Sequence, residues 1–350
     1  MVKILIAMSG GVDSAAAAVL LARDGHDVTG VTMRLFDKAP RPGTSCCSPD
    51  ALRVAAETAR RIGIDHYVLD FRREFGESVI KDFVNEYEAG RTPNPCVRCN
   101  TYLKFDILIN KARAMGFDAL ATGHYALLDR KKLQITRPVD RSKDQTYFLW
   151  GIRPETLPYL YFPVGKYTKD RVRRTVSEFL PDADVRPESQ DICFIGDDIG
   201  TFLADAFGAE SGPVTDVEGK ILGQHKGLGS HTIGRRRGIG VVTGEPMYVR
   251  EIVPSENKLV IAPADGILAS RLTASDANWL ARPPKSGETV KAFVRYRDPG
   301  APAAVSMDGN GLTVDFVKPR RAIARGQSVV FYRGDLLIGG AVIESVTWDK

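Results

Sequence analysis

Cysteine, histidine and tryptophan are scarce, with five, five and three residues in a chain of 350. An odd number of thiols, with no secretory leader expected ahead of them, argues against a structural disulfide framework and points to reactive or metal-binding cysteines. The histidines lack metal-ligand spacing, which argues against zinc. No apolar stretch approaches the roughly eighteen residues of a membrane span. Met1-Val2-Lys3-Ile4 leads straight into a strand-like run without a signal peptide, so a cytoplasmic protein with no membrane contact is predicted. Internal repeats and low-complexity segments are also missing. Charge of one sign is only mildly in excess: 48 Lys and Arg against 43 Asp and Glu leave +5 and a pI of about 8.9. That balance is compatible with a polyanionic partner such as RNA and does not require one. What remains is an ordinary globular composition, 43% apolar and 26% charged. The chain is long enough for two or three domains with a buried core.

The stretch that organises the rest is Ser9-Gly10-Gly11-Val12-Asp13-Ser14, between the apolar run Lys3 to Ala7 and the Ala/Leu-rich run Ala15 to Leu21. The pattern predicts strand, glycine turn and helix, with Gly25 as the stop. The turn then lies at a helix N-terminus, where unpaired amides and a positive dipole end suit a phosphate or pyrophosphate. Two glycines let the backbone approach the anion, and Ser9 and Ser14 add hydroxyl donors. The turn lacks the Gly-Lys-Ser/Thr ending of a Walker A loop and the G-x-G-x-x-G dinucleotide spacing. It resembles the S-G-G-x-D-S loop of PP-loop ATPases, which cleave ATP to AMP and pyrophosphate; a plain glycine turn is the alternative.

From residue 1 to about 125 strand and helix patterns alternate. Strands are predicted at Val28 to Met33, His66 to Leu69 and Asp118 to Thr122. Helices are predicted from Pro49, with Ser48 as N-cap, to about Arg61, in a stretch ending at Phe83 to Glu88, and over Leu103 to Met115. Repeated βα units imply a doubly wound parallel α/β sheet whose ligands gather beyond the carboxyl ends of its strands. The loop at Ser9, the segment after Met33 and Thr122-Gly123-His124 should therefore converge. Ala126 to Arg130 and Leu133 to Thr136 suggest a hairpin, and Thr168 to Leu180 an Arg-rich helix. Beyond about residue 211 short alternating runs take over. Strands at 291–296, 304–307, 312–316 and 328–332, with turns at Asp308 to Gly311 and Arg333 to Asp335, predict a small β-barrel. The expected domains are a catalytic domain at 1–210, a central connecting domain at 211–275 and a C-terminal β-barrel at 276–350.

Two further segments carry chemistry. In Arg91-Thr92-Pro93-Asn94-Pro95-Cys96-Val97-Arg98-Cys99-Asn100 the prolines and asparagines predict thiols on a rigid loop rather than in a helix. In Pro187 to Gly196 the lone Cys193 is flanked by acids and apolar residues. These segments occur in order with the Ser9 loop, Thr122-Gly123-His124-Tyr125-Ala126, Lys143-Asp144-Gln145-Thr146-Tyr147-Phe148-Leu149, Ser189 to Ile195, and Gly223-Gln224-His225 onward through Thr232-Ile233-Gly234. The ordered set, spanning nearly the whole chain, resembles the MnmA-type tRNA-specific 2-thiouridylases.

The resemblance implies adenylation of the C2 oxygen of the wobble uridine by ATP with Mg2+, followed by sulfur transfer and loss of AMP. Ala7, Met8, Ser9, Gly10, Gly11, Val12, Asp13 and Ser14 match the family's phosphate-binding stretch, and Met33 and Gly123 its adenosine site. Cys193 matches the cysteine that carries a persulfide received from a sulfur-relay or cysteine desulfurase donor protein, and Cys99 its disulfide partner. That assignment agrees with thiolate attack on sulfur. Asn94, Pro95 and residue 96 match positions near the target base. Lys143, Asp144 and Gln145, with Arg295 and Tyr296 in the β domain, match tRNA contacts.

One departure stands out: many members carry aspartate where this chain has Cys96, which makes a Cys-x-x-Cys pair with Cys99. Cysteine does not inherit an acid/base role from aspartate. Three readings follow: Cys96, Cys99 and Cys193 as ligands of a [4Fe-4S] cluster, a Cys96–Cys99 redox pair serving Cys193, or a tolerated substitution. Cys46 and Cys47 read as structural or as a sulfur relay. His124 is read as an ordinary buried or capping histidine. Arg235-Arg236-Arg237, near Lys226 and His231, and the set Lys318, Arg320, Arg321 and Arg325 are candidate phosphate contacts, with solvated surface as the alternative. The rival functions are a small-molecule amidating ligase with the same loop and a non-catalytic RNA-binding protein.

Overall fold

The computed structural model describes residues 1–37, 49–178, 192–196, 198–309 and 311–349. Cys46, Cys47, Ser48 and Pro187 to Asp191 lie outside the described residues. The chain divides into two compact units, one of residues 1–79, 96–195 and 335–337, the other of 80–95, 196–334 and 338–350.

The first unit is built on a sheet of β1 (Lys3–Ala7), β2 (Asp27–Arg34), β3 (His66–Asp70), β4 (Ala119–Thr122) and, after the hairpin β5 (Leu127–Asp129) and β6 (Gln134–Thr136), β7 (Leu160–Tyr161). Its order is β3-β2-β1-β4-β7 and every pairing is parallel. The order reverses at β1, between β2 and β4, and a crevice for ligands opens at such a point. Ile4, Leu5 and Ile6 of β1 are fully buried, as a central strand covered on both faces requires. Helix α1 (Val12–Arg23) buries Ala15 to Ala18 against the same core. Its end is closed by Gly25 at φ +78°, with Gly25 N–H donating to Ala22 O and His26 N–H to Leu21 O. Helix α2 (Pro49–Ile62) and the helix Lys169–Ser177, whose Thr168 side chain caps Arg171 N–H, complete the packing near α1.

Two local expectations are corrected. The thiol segment is not a loop: Pro95–Arg98 is helical and Cys99–Leu108 continues as a π-helix before the α-helix Ile109–Ala114. Proline stops a helix only in its interior. At the first helical position its missing N–H costs nothing and its φ is already suitable. The expected helix Leu103 to Met115 is found, in π form up to Leu108 and as α-helix over Ile109–Ala114, a difference that apolar periodicity does not register. Crowding marks this region, since a Cβ on Gly151 would lie 2.1 Å from Thr101 Oγ1.

In the second unit β8 (Gly212–Thr215), β9 (Ile221–His225), β10 (Tyr248–Val253) and β11 (Lys258–Ala262) form a sheet of order β10-β11-β8-β9 around Val214, Val249, Leu259 and Ile261. Next come β12 (Leu268–Trp279), β13 (Glu288–Phe293), β14 (Ala301–Asp308), β15 (Gly311–Arg321), β16 (Ser328–Arg333) and β17 (Leu336–Trp348). They run in the order β12-β15-β14-β13-β16-β17, and pairing of β12 with β17 closes a six-stranded barrel. Closure leaves no open edge. The fold is thus a parallel α/β domain followed by two β domains.

Candidate active site

Met8 leaves β1 with its N–H donating to Val31 O (2.7 Å), and its carbonyl accepts from Thr32 Oγ1 (2.8 Å). His66 Nε2 lies 2.8 Å from the same Thr32 hydroxyl. The turn after Met8 needs its glycines. Gly10 has φ +69°, and a Cβ there would lie 2.5 Å from Ala51 O. Ser14 Oγ accepts from Ser9 N–H (3.1 Å) and donates to Gly11 O (3.0 Å), which folds the loop over the start of α1. Gly123, beyond β4, comes so close that a Cβ would meet Asp13 C and Ser14 N at 2.7 Å. The Ser9 loop and Gly123 therefore lie together as expected, and Met33 sits buried at the carboxyl end of β2.

Asp13 is fixed by two residues that the sequence did not single out. Its Oδ1 accepts from Lys169 Nζ at 2.7 Å and from Tyr125 Oη at 3.0 Å. The Lys169 side chain is only 9% exposed, so this ion pair is shielded from water on the lysine side. Lys169 opens a helix more than 150 residues downstream of the loop (|i−j| of 156), and no local periodicity marks it.

His124 hydrogen-bonds Thr122 Oγ1 through Nδ1 (2.8 Å) and packs on Phe105 and Phe162. Burial, with Lys104 adding to it, holds its pKa well below the ordinary value, so the imidazole is neutral. Lys104 Nζ donates to Asn100 Oδ1 (2.9 Å), and Asn100 Nδ2 donates to Phe148 O (3.0 Å), which ties the helix after Cys99 to the Thr146–Leu149 turn. Cys96 is exposed, whereas Cys99 and Cys193 are half-buried. Cys193 lies in a turn closed by Ile195 N–H to Ile192 O, and Phe194 anchors it by an edge contact with Phe75 at 5.7 Å. Among the described residues no group of three or more His, Cys, Asp or Glu side chains is arranged to hold a metal ion. Cys96, Cys99 and Cys193 are not gathered into such a group.

The expected tRNA contacts divide. Asp144 is held by Arg137, Thr146 N–H and Thr146 Oγ1, and Gln145 exchanges two hydrogen bonds with the Tyr125 backbone. Lys143 beside them is half-buried. Asn94 is half-buried and Pro95 buried, while Arg295 and Tyr296 are exposed in the turn after β13. Of the basic runs, Arg320 pairs with the buried Asp298, Arg325 donates to Glu344 O, and Arg235 turns back onto Arg237 O. Those three serve the fold. His231, earlier grouped with the basic run, is buried at 1% exposure. Arg236 and Arg321, 85 positions apart in sequence (321 minus 236), meet instead at Tyr248. Arg321 lies 4.2 Å over the ring, and hydrogen bonds from Arg321 and Arg236 lower the phenol's pKa.

A parallel α/β domain with a glycine-rich anion loop at its switch point, joined to two β domains, defines a nucleotide-dependent enzyme of the PP-loop class. Family models agree in extent: one described as a tRNA methyl transferase HUP domain matches residues 2–197, a tRNA methyl transferase PRC-barrel domain 200–263, and an aminomethyltransferase beta-barrel domain 269–343. The chain belongs to the family of MnmA tRNA-specific 2-thiouridylases. It is 46% identical to the member from Carboxydothermus hydrogenoformans over 98% of this chain and 97% of that one. It is 42% identical to the Thermus thermophilus member over 98% and 95% of the two chains. A solved 4-thiouridine synthetase–RNA complex with bound ATP covers 53% of this chain and 43% of its own at 17% identity and a TM-score of 0.34.

Proposed function

We propose that the protein is an ATP-dependent tRNA uridine 2-sulfurtransferase acting in the cytoplasm. The observation that carries this is likeness to named thiouridylases over 98% of the chain, with the residues of the anion loop and both half-buried thiols present. The family models' names mention methyl transfer. A loop suited to pyrophosphate and a pair of thiols fit adenylation and sulfur transfer better.

The C2 oxygen of the wobble uridine attacks the α-phosphorus of ATP. Pyrophosphate leaves with the electron pair of the broken P–O bond, and the base loses its N3 proton. The amides and hydroxyls of Ser9 to Ser14 hold the phosphates, with Met33 and Gly123 beside the adenosine. Mg2+ accompanies the nucleotide and offsets phosphate charge. The Cys99 thiolate then attacks Sγ of a Cys193 persulfide. A Cys99–Cys193 disulfide forms, the persulfide S–S bond breaks, and hydrosulfide leaves to displace AMP from C2. The persulfide comes from a sulfur-relay or cysteine desulfurase donor. Cys96 attacks Cys99 in the disulfide, freeing Cys193, and an external dithiol supplies the two electrons that reduce the Cys96–Cys99 bond.

The test is incubation with tRNA, Mg-ATP and a persulfide donor, followed by nucleoside analysis. 2-Thiouridine formed in step with AMP supports the reading; pyrophosphate released without RNA, with the adenylyl group transferred to a small acid, replaces it with the ligase. Cys96→Ser should complete one turnover and stall afterwards, measured as a burst of 2-thiouridine equal to the enzyme. Undiminished steady-state turnover contradicts the role given to Cys96.

A further inference from the structure

Thr92 and Pro93 precede the thiol-bearing helix and belong to no regular element, yet their main chain is held at almost every polar atom. Thr92 N–H donates to Arg325 O at 2.7 Å. The carboxamide of Gln327 spans two successive carbonyls, its Nε2 donating to Thr92 O at 2.9 Å and to Pro93 O at 3.2 Å. Pro93 has no N–H to satisfy. Arg91 extends the anchor: its guanidinium grips Glu344 in a two-pronged pair at 2.6 and 3.2 Å and reaches Glu86 at 2.8 Å. Glu344 also accepts from Ser275 Oγ at 2.6 Å. The Arg91 bond, aided by Ser275, holds the Glu344 carboxyl below its ordinary pKa.

The barrel turn is shaped for this approach. Gly326 has φ +83°, and a Cβ on it would lie 2.9 Å from Glu86 Oε2, 3.0 Å from Arg91 Cβ and 3.1 Å from Thr92 N. The turn is itself fixed, by Gly326 N–H to Ile343 O and Ile343 N–H to Gln327 O, both 2.8 Å. The turn at Arg325 to Gln327 thus holds Thr92 and Pro93, more than 230 positions earlier (|i−j| of 235 and 234 for Gln327), while β17 holds the neighbouring Arg91 through Glu344. Conformational entropy opposes a fixed loop at each residue. So dense a set of bonds is expected where the loop's position matters.

We infer that Gln327 is a positioning residue. By donating both carboxamide hydrogens to Thr92 O and Pro93 O, it fixes the main chain that presents Asn94 and Pro95 to the nucleobase. The C-terminal barrel then has a task besides gripping RNA: it sets the loop against which the target uridine is placed. The role in catalysis rests on the sulfurtransferase reading; the anchor itself rests on geometry alone.

Gln327→Glu keeps size but replaces two donors by an acceptor facing two carbonyls. The expected result is a loss of kcat for thiolation of about tenfold or more, with tRNA affinity within about twofold of wild type. Because the introduced carboxyl donates a hydrogen only when protonated, activity relative to wild type should rise as pH falls. Amide exchange at Thr92 and Asn94 should quicken locally. An unchanged kcat, or a loss that does not vary with pH, overturns the inference. If Gln327→Glu does not fold, Gln327→Met tests the same loss without charge, and wild-type turnover and exchange in that variant overturn it. Failure of the wild-type protein to thiolate tRNA strikes the reaction and not the anchor, which the exchange measurement decides.

Discussion

At the scale of single residues, the site depends on an electrostatic balance that only the three-dimensional structure reveals. A carboxylate in the first turn of α1 is favourable to the helix, yet under the proposed function Asp13 stands where a polyphosphate is to be received. Lys169 and Tyr125 resolve this conflict by holding Asp13 Oδ1 from two sides. Removing the lysine leaves a half-shielded carboxylate without its cation, and an unmet polar group of this kind costs about 1–3 kcal/mol. Lys169→Met is therefore expected to lower stability by that order in urea denaturation and to weaken ATP binding. Restored ATP affinity on adding Asp13→Asn would locate the defect in the bared charge, whereas an unaltered ATP Kd in Lys169→Met would remove Lys169 from the account.

At the scale of elements, His231 in the β8–β11 unit sets an acid limit. His225 donates or accepts at both ring nitrogens, to Asn257 O (2.9 Å) and from Gly227 N–H (3.0 Å), and its ring faces His231 at 6.0 Å. Burial, reinforced by Arg235 and His225, pushes the His231 pKa down to about 4. The folded state therefore holds fewer protons at this residue than the unfolded chain below about pH 6.5. Stability contributed by the neutral ring is complete above that value and is lost as pH falls toward 4. The denaturant midpoint should drop across this window and the drop should shrink in His231→Gln; a midpoint with the same pH dependence in both proteins contradicts the assignment. Strands β1 to β6 and β13 to β16, α1 and the Lys169 helix were legible in the sequence because apolar period and turn glycines are local signals, whereas β7 to β12 and β17 were not placed. The helix at Pro95 was not, since the same prolines that punctuate a loop also open a helix. The roles of Lys169, Tyr125 and Gln327 were not legible for a different reason: their partners lie 156, 112 and 235 positions away. The loop glycines were legible because their need is local, a φ of +69° at Gly10 among them.

At the scale of the whole molecule, a net charge of +5 says little until the arginines are sorted by partner. In the second unit Arg91, Arg271, Arg282, Arg320 and Arg333 are in ion pairs, and their charge is spent within the fold. Arg321 instead lies over the Tyr248 ring, Arg236 hydrogen-bonds the same phenol, and Arg250 lies over Trp348 at 5.7 Å. Guanidinium groups presented on aromatic faces suit the phosphates of RNA. Changing Arg236 and Arg321 to Ala should weaken tRNA binding regardless of sequence and reduce the slope of log K against log salt by about 1–2. An unchanged slope would make them surface residues only. The central claim is that ATP cleavage serves sulfur delivery through Cys193, and a single-turnover comparison of wild type with Cys193→Ser tests it most directly. With tRNA, Mg-ATP and a persulfide donor, the account predicts tRNA-dependent pyrophosphate release in both proteins and 2-thiouridine only in wild type. Full 2-thiouridine formation by Cys193→Ser would contradict it.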